Sequence, residues 1–274
     1  MKSTGGRWWM GFVATIVAAA YLTPTVLMLV SSLKPGGQLV RDPYSFWPTR
    51  WALENYAQAL AEISFWGSLA NSLWLCTGCV LGATLSSALV AYATARVRWR
   101  GRRLVMLTVV LSMLLPWYVA MIPRFWLTRQ LGLYDSFAAL ILPTCLGNAF
   151  FIFLLRQFFL TIPEELFEAG RIDGLSHWGL FWRICVPLSR PAITTVALFQ
   201  FIDTWNDFSG PLLYLSDPAK FPLAYSLERF VSGYSDQTHL LLAAAVTFTA
   251  VPVLMFIFAQ RAFIQGATTT GIKG

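Results

Sequence analysis

Charge is what this sequence has least of. Only 12% of its 274 residues are Asp, Glu, Lys or Arg, and 57% are apolar; soluble domains carry about 25% charged residues. That balance excludes an ordinary soluble domain and identifies an integral membrane protein. Metal-binding and redox residues are scarce too, with two histidines and four cysteines. Cys76 and Cys79 have C-x-x-C spacing, but they lie in a long apolar run without further ligands, so they read as small core residues. No Walker A pattern occurs, so the chain does not by itself hydrolyse ATP in the usual way. The lack of a G-x-S-x-G elbow beside a span histidine, and of H-E-x-x-H, argues against an intramembrane protease. No segment repeats arginine at every third position, which argues against a voltage sensor. The internal repeat common in ion-driven carriers is not seen either. A non-catalytic protein with no cofactor and no metal is the expectation.

What is there is apolar length. Six segments are each long enough to cross about 30 Å of hydrocarbon: residues 8–33, 66–95, 104–126, 137–160, 192–215 and 240–262. The expected fold is therefore all-α, a single polytopic domain over 1–274 with six transmembrane helices. The first segment has a faint cleavage-like Ala18-Ala19-Ala20, but apolar sequence continues to Val30, too far for a signal core. Pro116, Pro123 and Pro143 allow bends in spans three and four. Asn71, Ser72 and Asn148 can hydrogen-bond across helices.

The net charge of +7 does not point to nucleic acid; the positive charges sort by side of the membrane. With six spans, thirteen Lys and Arg fall on the side of both termini and seven on the other. Five arginines between Arg96 and Arg103, in one short loop, decide the orientation. Both termini and the loop 161–191 are then cytoplasmic.

That loop, TIPEELFEAGRIDGLSHWGLFWRICVPLSRP, reads as two short helices. Thr161 and Glu164 fit a capping box. Pro163 is tolerated in a first turn, and Glu164 and Glu165 suit the helix dipole. Gly174 is the natural stop, and Ser176 can cap a second helix to about Cys185. Ala169 and Gly170 would leave a flat face that another protein's backbone can approach. A solvated amphipathic helix on the membrane surface is the alternative.

The order Glu168-Ala169-Gly170-x-x-Asp173-Gly174, followed by Ile184-x-x-Pro187, resembles the EAA loop of ABC importer permeases. Gly170 replaces the usual third-position Ala, Leu175 stands where Ala is common, and Val186 precedes the proline. The resemblance implies the type I importer permease fold, with this loop as the coupling helix that docks in a cleft of a cytoplasmic ATPase. It implies that Glu168 pairs with a basic residue there and that Gly174 makes the turn. It also implies the partners: a second permease, two ATPase subunits and an extracytoplasmic solute-binding protein, at a bacterial inner membrane.

The fifth segment carries Gln200, Asp203, Trp205, Asn206 and Asp207. Asp203 and Asp207 are four apart, so on a continuous helix they share a face with Gln200. Ionisable groups in spans are costly, so these residues are either a pathway wall for a hydroxyl-rich solute or packing contacts. Ser209, Gly210 and Pro211 would loosen the helix. Trp205-Asn206-Asp207-Phe208 also resembles the W-N-[D/E]-F element of carbohydrate-type permeases, such as the smaller permease of maltose and glycerol-3-phosphate importers. The Gly271-Ile272-Lys273-Gly274 ending looks like that family's tail. An ATP-driven sugar or polyol importer subunit is implied; an ion-driven carrier or channel-like protein is the alternative.

Overall fold

The computed structural model describes residues 4–42, 44–231 and 237–270. Lys2, Lys273 and the Gly271–Gly274 ending lie outside the described residues. Among the described residues the secondary structure is helical, with no strand. In chain order the helices are α1 (Thr4–Ser32), α2 (Gly36–Arg41), α3 (Glu54–Glu62), α4 (Phe65–Arg96), α5 (Arg102–Met113), α6 (Trp117–Gln130), α7 (Ala138–Thr144) and α8 (Ala149–Thr161). They continue as α9 (Glu164–Ile172), α10 (His177–Leu180), α11 (Val186–Leu188), α12 (Arg190–Trp205), α13 (Ser209–Tyr214), α14 (Leu223–Ser226) and α15 (Thr238–Thr270).

Among the described residues four stretches are long and apolar enough to cross a membrane: Trp9–Ser32, Phe65–Arg96, Ala138–Thr161 and Thr238–Ile257. Two further pairs qualify only when joined across a bend: α5 with α6 at 105°, and His177–Leu188 with α12 at 80°. The run read as one span over 104–126 is therefore two helices. Pro116 causes the break, because it has no N–H to continue α5 and stands in extended backbone just before α6. Many side chains on these helices are large, apolar and exposed, Tyr21 at 80% and Leu104 at 67% among them. Such surface is explained by lipid, where a helix satisfies its own backbone polar groups.

The chain divides into two compact units. The first comprises Met1–Phe65 and Ser226–Val251. Its polar stretch after α1 is ordered by two buried amides. Gln38 donates to Ser45 Oγ and the Trp47 carbonyl and accepts from Thr49. Asn55 donates to the carbonyls of Ser32 and Lys34.

The second unit, Trp66–Tyr225 with Pro252–Gly274, holds the loop of interest. Its core joins Ala83, Ala88 and Ala91 of α4 to Leu155 and Phe159 of α8, Phe167 of α9, and Val196 of α12. Small residues let α4 approach its neighbours closely. At Gly82 an added Cβ would sit 2.6 Å from Cys145 Sγ, and at Gly78 one would sit 2.7 Å from Ile141 Cδ1. Cys76 and Cys79 are buried, with their thiols against the carbonyls of Phe201 and Leu140. Asn71 crosses to the carbonyls of Ala219 and Phe221, and Ser72 accepts from the Leu223 amide. Asn148 reaches α4 through its backbone, its N–H donating to Ser87 Oγ, while its side chain caps α8 by accepting from Phe150 and Phe151. Gly147, with φ +93°, breaks the helix there and makes Asn148 a helix start.

The turn before α7 is tied to the segment after α13 by Asp135. This residue is in the left-handed region, φ +57°. Its carboxylate accepts from the Ser216 and Asp217 amides and from Lys220 Nζ at 2.7 Å. The Lys220 ammonium and those two N–H groups hold the Asp135 carboxyl down at about 2. Because the folded value lies below the unfolded one, about 3.9, the clamp is complete above about pH 4 and is lost as pH falls toward about 2. Amide-exchange protection of Ser216 and Asp217 is expected to fall across that window. In Asp135→Asn it is expected to be weak at every pH.

Candidate functional site

The loop 161–191 is a folded element. α8 runs to Thr161, whose hydroxyl donates back to the Phe158 carbonyl. Pro163 holds the cap position of α9, with no side-chain cap bond. The expected capping box between Thr161 and Glu164 is therefore not formed. Thr161 ends the preceding helix, and Glu164 is engaged elsewhere.

Glu164 is engaged by two arginines. Arg96, the last residue of α4, reaches its carboxylate at 2.6 Å, and Arg171 does so at 3.0 Å. Arg96 also donates to the carbonyls of Phe159 and Ile162, and its guanidinium lies 4.4 Å from the Phe167 ring centroid. One side chain, itself 7% exposed, thus satisfies the end of α8 and the start of α9. Burial would raise the Glu164 carboxyl; hydrogen bonds from Arg171 and Arg96 outweigh it and hold the group below the usual carboxylate range.

The end of α9 is closed as a Schellman motif. Leu175 N–H donates to the Gly170 carbonyl at 2.9 Å, and Gly174 N–H to that of Arg171 at 3.0 Å. Gly174 has φ +81°, as this turn requires. Ser176 then accepts from the Gly179 amide and starts α10. A π-helical stretch, Phe181–Cys185, carries the chain into α11; such stretches often occur at functional positions.

Gly170 does not share an outer face with Ala169. It is buried, and a Cβ there would sit 2.7 Å from both Ile184 Cδ1 and Leu180 Cδ2. The flat face expected from Ala169 and Gly170 is corrected on this point, because the second short helix occupies the Gly170 side. Gly170, Leu175, Leu180 and Ile184 form the seam between the two helices. Pro187 is exposed and stands apart from that seam, in α11. The outer face of α9 carries Glu165, Glu168, Ala169 and Ile172, at helical spacing, with Asp173 beside them. Ile172 is 86% exposed. Glu168, one turn back, and Asp173, next in sequence, are its exposed acidic neighbours, and Arg171 precedes it.

The residues of the fifth apolar segment separate. α12 ends at Trp205, and the Asp207 amide turns back to the Thr204 carbonyl. Asp207 is thus off the helix and does not share a helical face with Asp203 and Gln200. Its carboxylate accepts from the Gly210 amide at 2.9 Å and so caps α13. Gln200 is buried and donates to Thr204 Oγ1. Trp205 is 1% exposed and stacks on Phe201 at 5.6 Å. Only Asp203 and Asn206 of the five are exposed, and Asn206 donates to the Ile202 carbonyl.

Sequence reasoning missed Arg96 and Phe167. Arg96 was read for its contribution to orientation alone. Arg96 and Glu164 lie 68 residues apart, with four helices between them, so no local signal joins them.

The family described as "Binding-protein-dependent transport system inner membrane component" matches residues 82–268, which include α9 and its turn. The chain is 32% identical over 271 residues to the arabinooligosaccharides transport system permease protein AraQ of Halalkalibacterium halodurans, covering 97% of this chain and 96% of that one. It is 33% identical to the polygalacturonan/rhamnogalacturonan transport system permease protein YtcP of Bacillus subtilis, covering 92% of each. A chain from the crystal structure of a bacterial ABC transporter for import of the acidic polysaccharide alginate superposes with a TM-score of 0.80 and 25% identity, over 96% of this chain and 99% of that chain. The chain belongs to the family of binding-protein-dependent transport system inner membrane components.

Proposed function

We propose that this permease is one half of the membrane pathway of an ATP-driven importer for an oligosaccharide or related sugar, and that α9 couples it to an ATPase. The observation that carries the reading is the α9 element: a short helix pinned to α4 by Arg96, closed by Gly174, and presenting Glu168, Ala169 and Ile172 outward. A helix fixed at its base and apolar at its tip can transmit a push. The relatives' sugar and polysaccharide names support the substrate class.

In this reading each bent pair counts as one span, giving six. The arginine-rich loop supports a cytoplasmic side for both termini and α9. A solute-binding protein delivers sugar on the opposite side, and a second permease completes the pathway. Each of two ATPase subunits receives one permease loop. Asp203 and Asn206 are the pathway candidates; Gln200, Trp205 and Asp207 support them from within the fold.

The test is sugar uptake with the complete importer in vesicles. Glu168→Ala is expected to leave insertion and folding intact, since the side chain is exposed. Uptake is expected to fall by about tenfold or more, the range of a lost coupling contact. Uptake that persists with a hydrolysis-dead ATPase, driven by an ion gradient, would overturn the proposal.

A further inference from the structure

A cavity of about 430 Å³ lies where the ends of α4, α5 and α8 meet. Arg102 and Arg103 at the start of α5 line it with Arg156 of α8, and so do Leu107 and Val110 further along α5 and Leu160 at the end of α8. No acidic residue lines it. Arg156 is half-buried, and its Nε is buried without a hydrogen-bond partner among the described residues. A guanidinium in that position is stabilised by an anion that accepts from it. The apolar part is not sealed: Leu107 and Val110 are exposed, as are Leu104 and Leu111 on the same helix. The cavity therefore opens onto the side of a membrane helix, with its charge at the arginine-rich end.

We infer that this cavity is a site for an anionic phospholipid, its phosphate held by Arg102, Arg103 and Arg156 and an acyl chain lying along Leu107, Val110 and Leu160. A free anion would use only the arginines. An acidic segment of a protein would leave the apolar wall uncovered. A phospholipid fills both parts and is already present in the bilayer around them. The inference is independent of the coupling reading, because it requires only that the chain sits in a membrane.

The experiment is native mass spectrometry of the assembled importer in detergent, with dioleoylphosphatidylglycerol, dioleoylphosphatidylcholine or inorganic phosphate added. Phosphatidylglycerol is expected to be retained and phosphatidylcholine not. Arg156→Gln is expected to lower retention about five-fold, the equivalent of about 1 kcal/mol per basic residue near a lipid surface. The pair Arg98→Gln with Arg100→Gln removes two exposed charges outside the cavity; it is expected to change retention less than about two-fold, because exposed charges are screened. Val110→Trp, which fills the apolar part and leaves the arginines, is expected to abolish retention, and it keeps the test valid if Arg156→Gln fails to fold. Equal retention of both lipids, equal loss in the control pair, or displacement by phosphate alone would each overturn the site.

Discussion

Replacing Arg96 by methionine is expected to release α9 from the membrane domain and stop transport. The substitution keeps an unbranched, flexible side chain, shorter than arginine's by two atoms, and removes the guanidinium. It takes Arg96's donors from the carbonyls of Phe159 and Ile162, leaving Phe159 the Ile162 amide, and leaves Glu164 with Arg171 alone. Removing one partner of a buried ion pair costs about 3–5 kcal/mol. Glu164 is 41% exposed and can turn to water, so about 2–4 kcal/mol is the expected local loss. The loss falls on the junction of α8 and α9 and spares the spans. Amide protection of residues 164–172 is expected to collapse while membrane insertion is retained. Uptake is expected to fall about a hundredfold, near the upper end of measured coupling effects.

Arg96→Lys separates this role from topology. Lysine keeps the positive charge that orients the loop, but it lacks the planar fork that serves two carbonyls and a carboxylate at once. It is expected to insert normally and to transport little better than the methionine variant. If Arg96→Lys transports normally, Arg96 matters for its charge alone and the pinning account is wrong.

Gly174→Pro is expected to have an effect of similar size by a different route. Proline holds φ near −65° and has no N–H. The native φ is +81°, and the Gly174 N–H is used by the Arg171 carbonyl. Both losses fall on the turn that sets the angle between α9 and α10, at a cost of about 3 kcal/mol or more. A Cβ at Gly174 meets nothing within 4 Å, so its requirement is conformational rather than steric. That fixes the order of a substitution series. Asparagine, which tolerates the left-handed region, is expected to be mild; alanine costs about 1 kcal/mol; proline is disabling. Thermal stability in detergent and uptake in vesicles should follow the same order. An alanine variant worse than proline would show that space, not φ, limits the site.

The contrast between Gly174 and Arg96 explains what could be read in advance. A left-handed turn is a local demand, so glycine at a fixed distance from a helix start announced it. The Ser176 cap is local in the same sense. Arg96 meets Glu164 across 68 residues, and nothing in either neighbourhood specifies the other. Gly170 was half legible. Its small size implies a close neighbour, but that neighbour is the second short helix rather than another protein, because the turn at Gly174 folds the chain back on it. Asp207 was misplaced because four-residue spacing implies a shared face only while the helix continues, and α12 stops at Trp205. The 105° bend between α5 and α6 follows from Pro116, which had been read as a possible bend without a size.

The central claim is that the outer face of α9 docks against an ATPase. A photo-crosslinking residue at Ile172, which is 86% exposed and contributes nothing to the pinned side of the helix, reports on that face directly. In intact membranes, illumination is expected to join the permease to a nucleotide-binding subunit, and the yield is expected to drop when Arg96 is replaced by lysine. Crosslinks to lipid or to a second copy of the permease alone, unchanged in the Arg96 variant, would contradict the account.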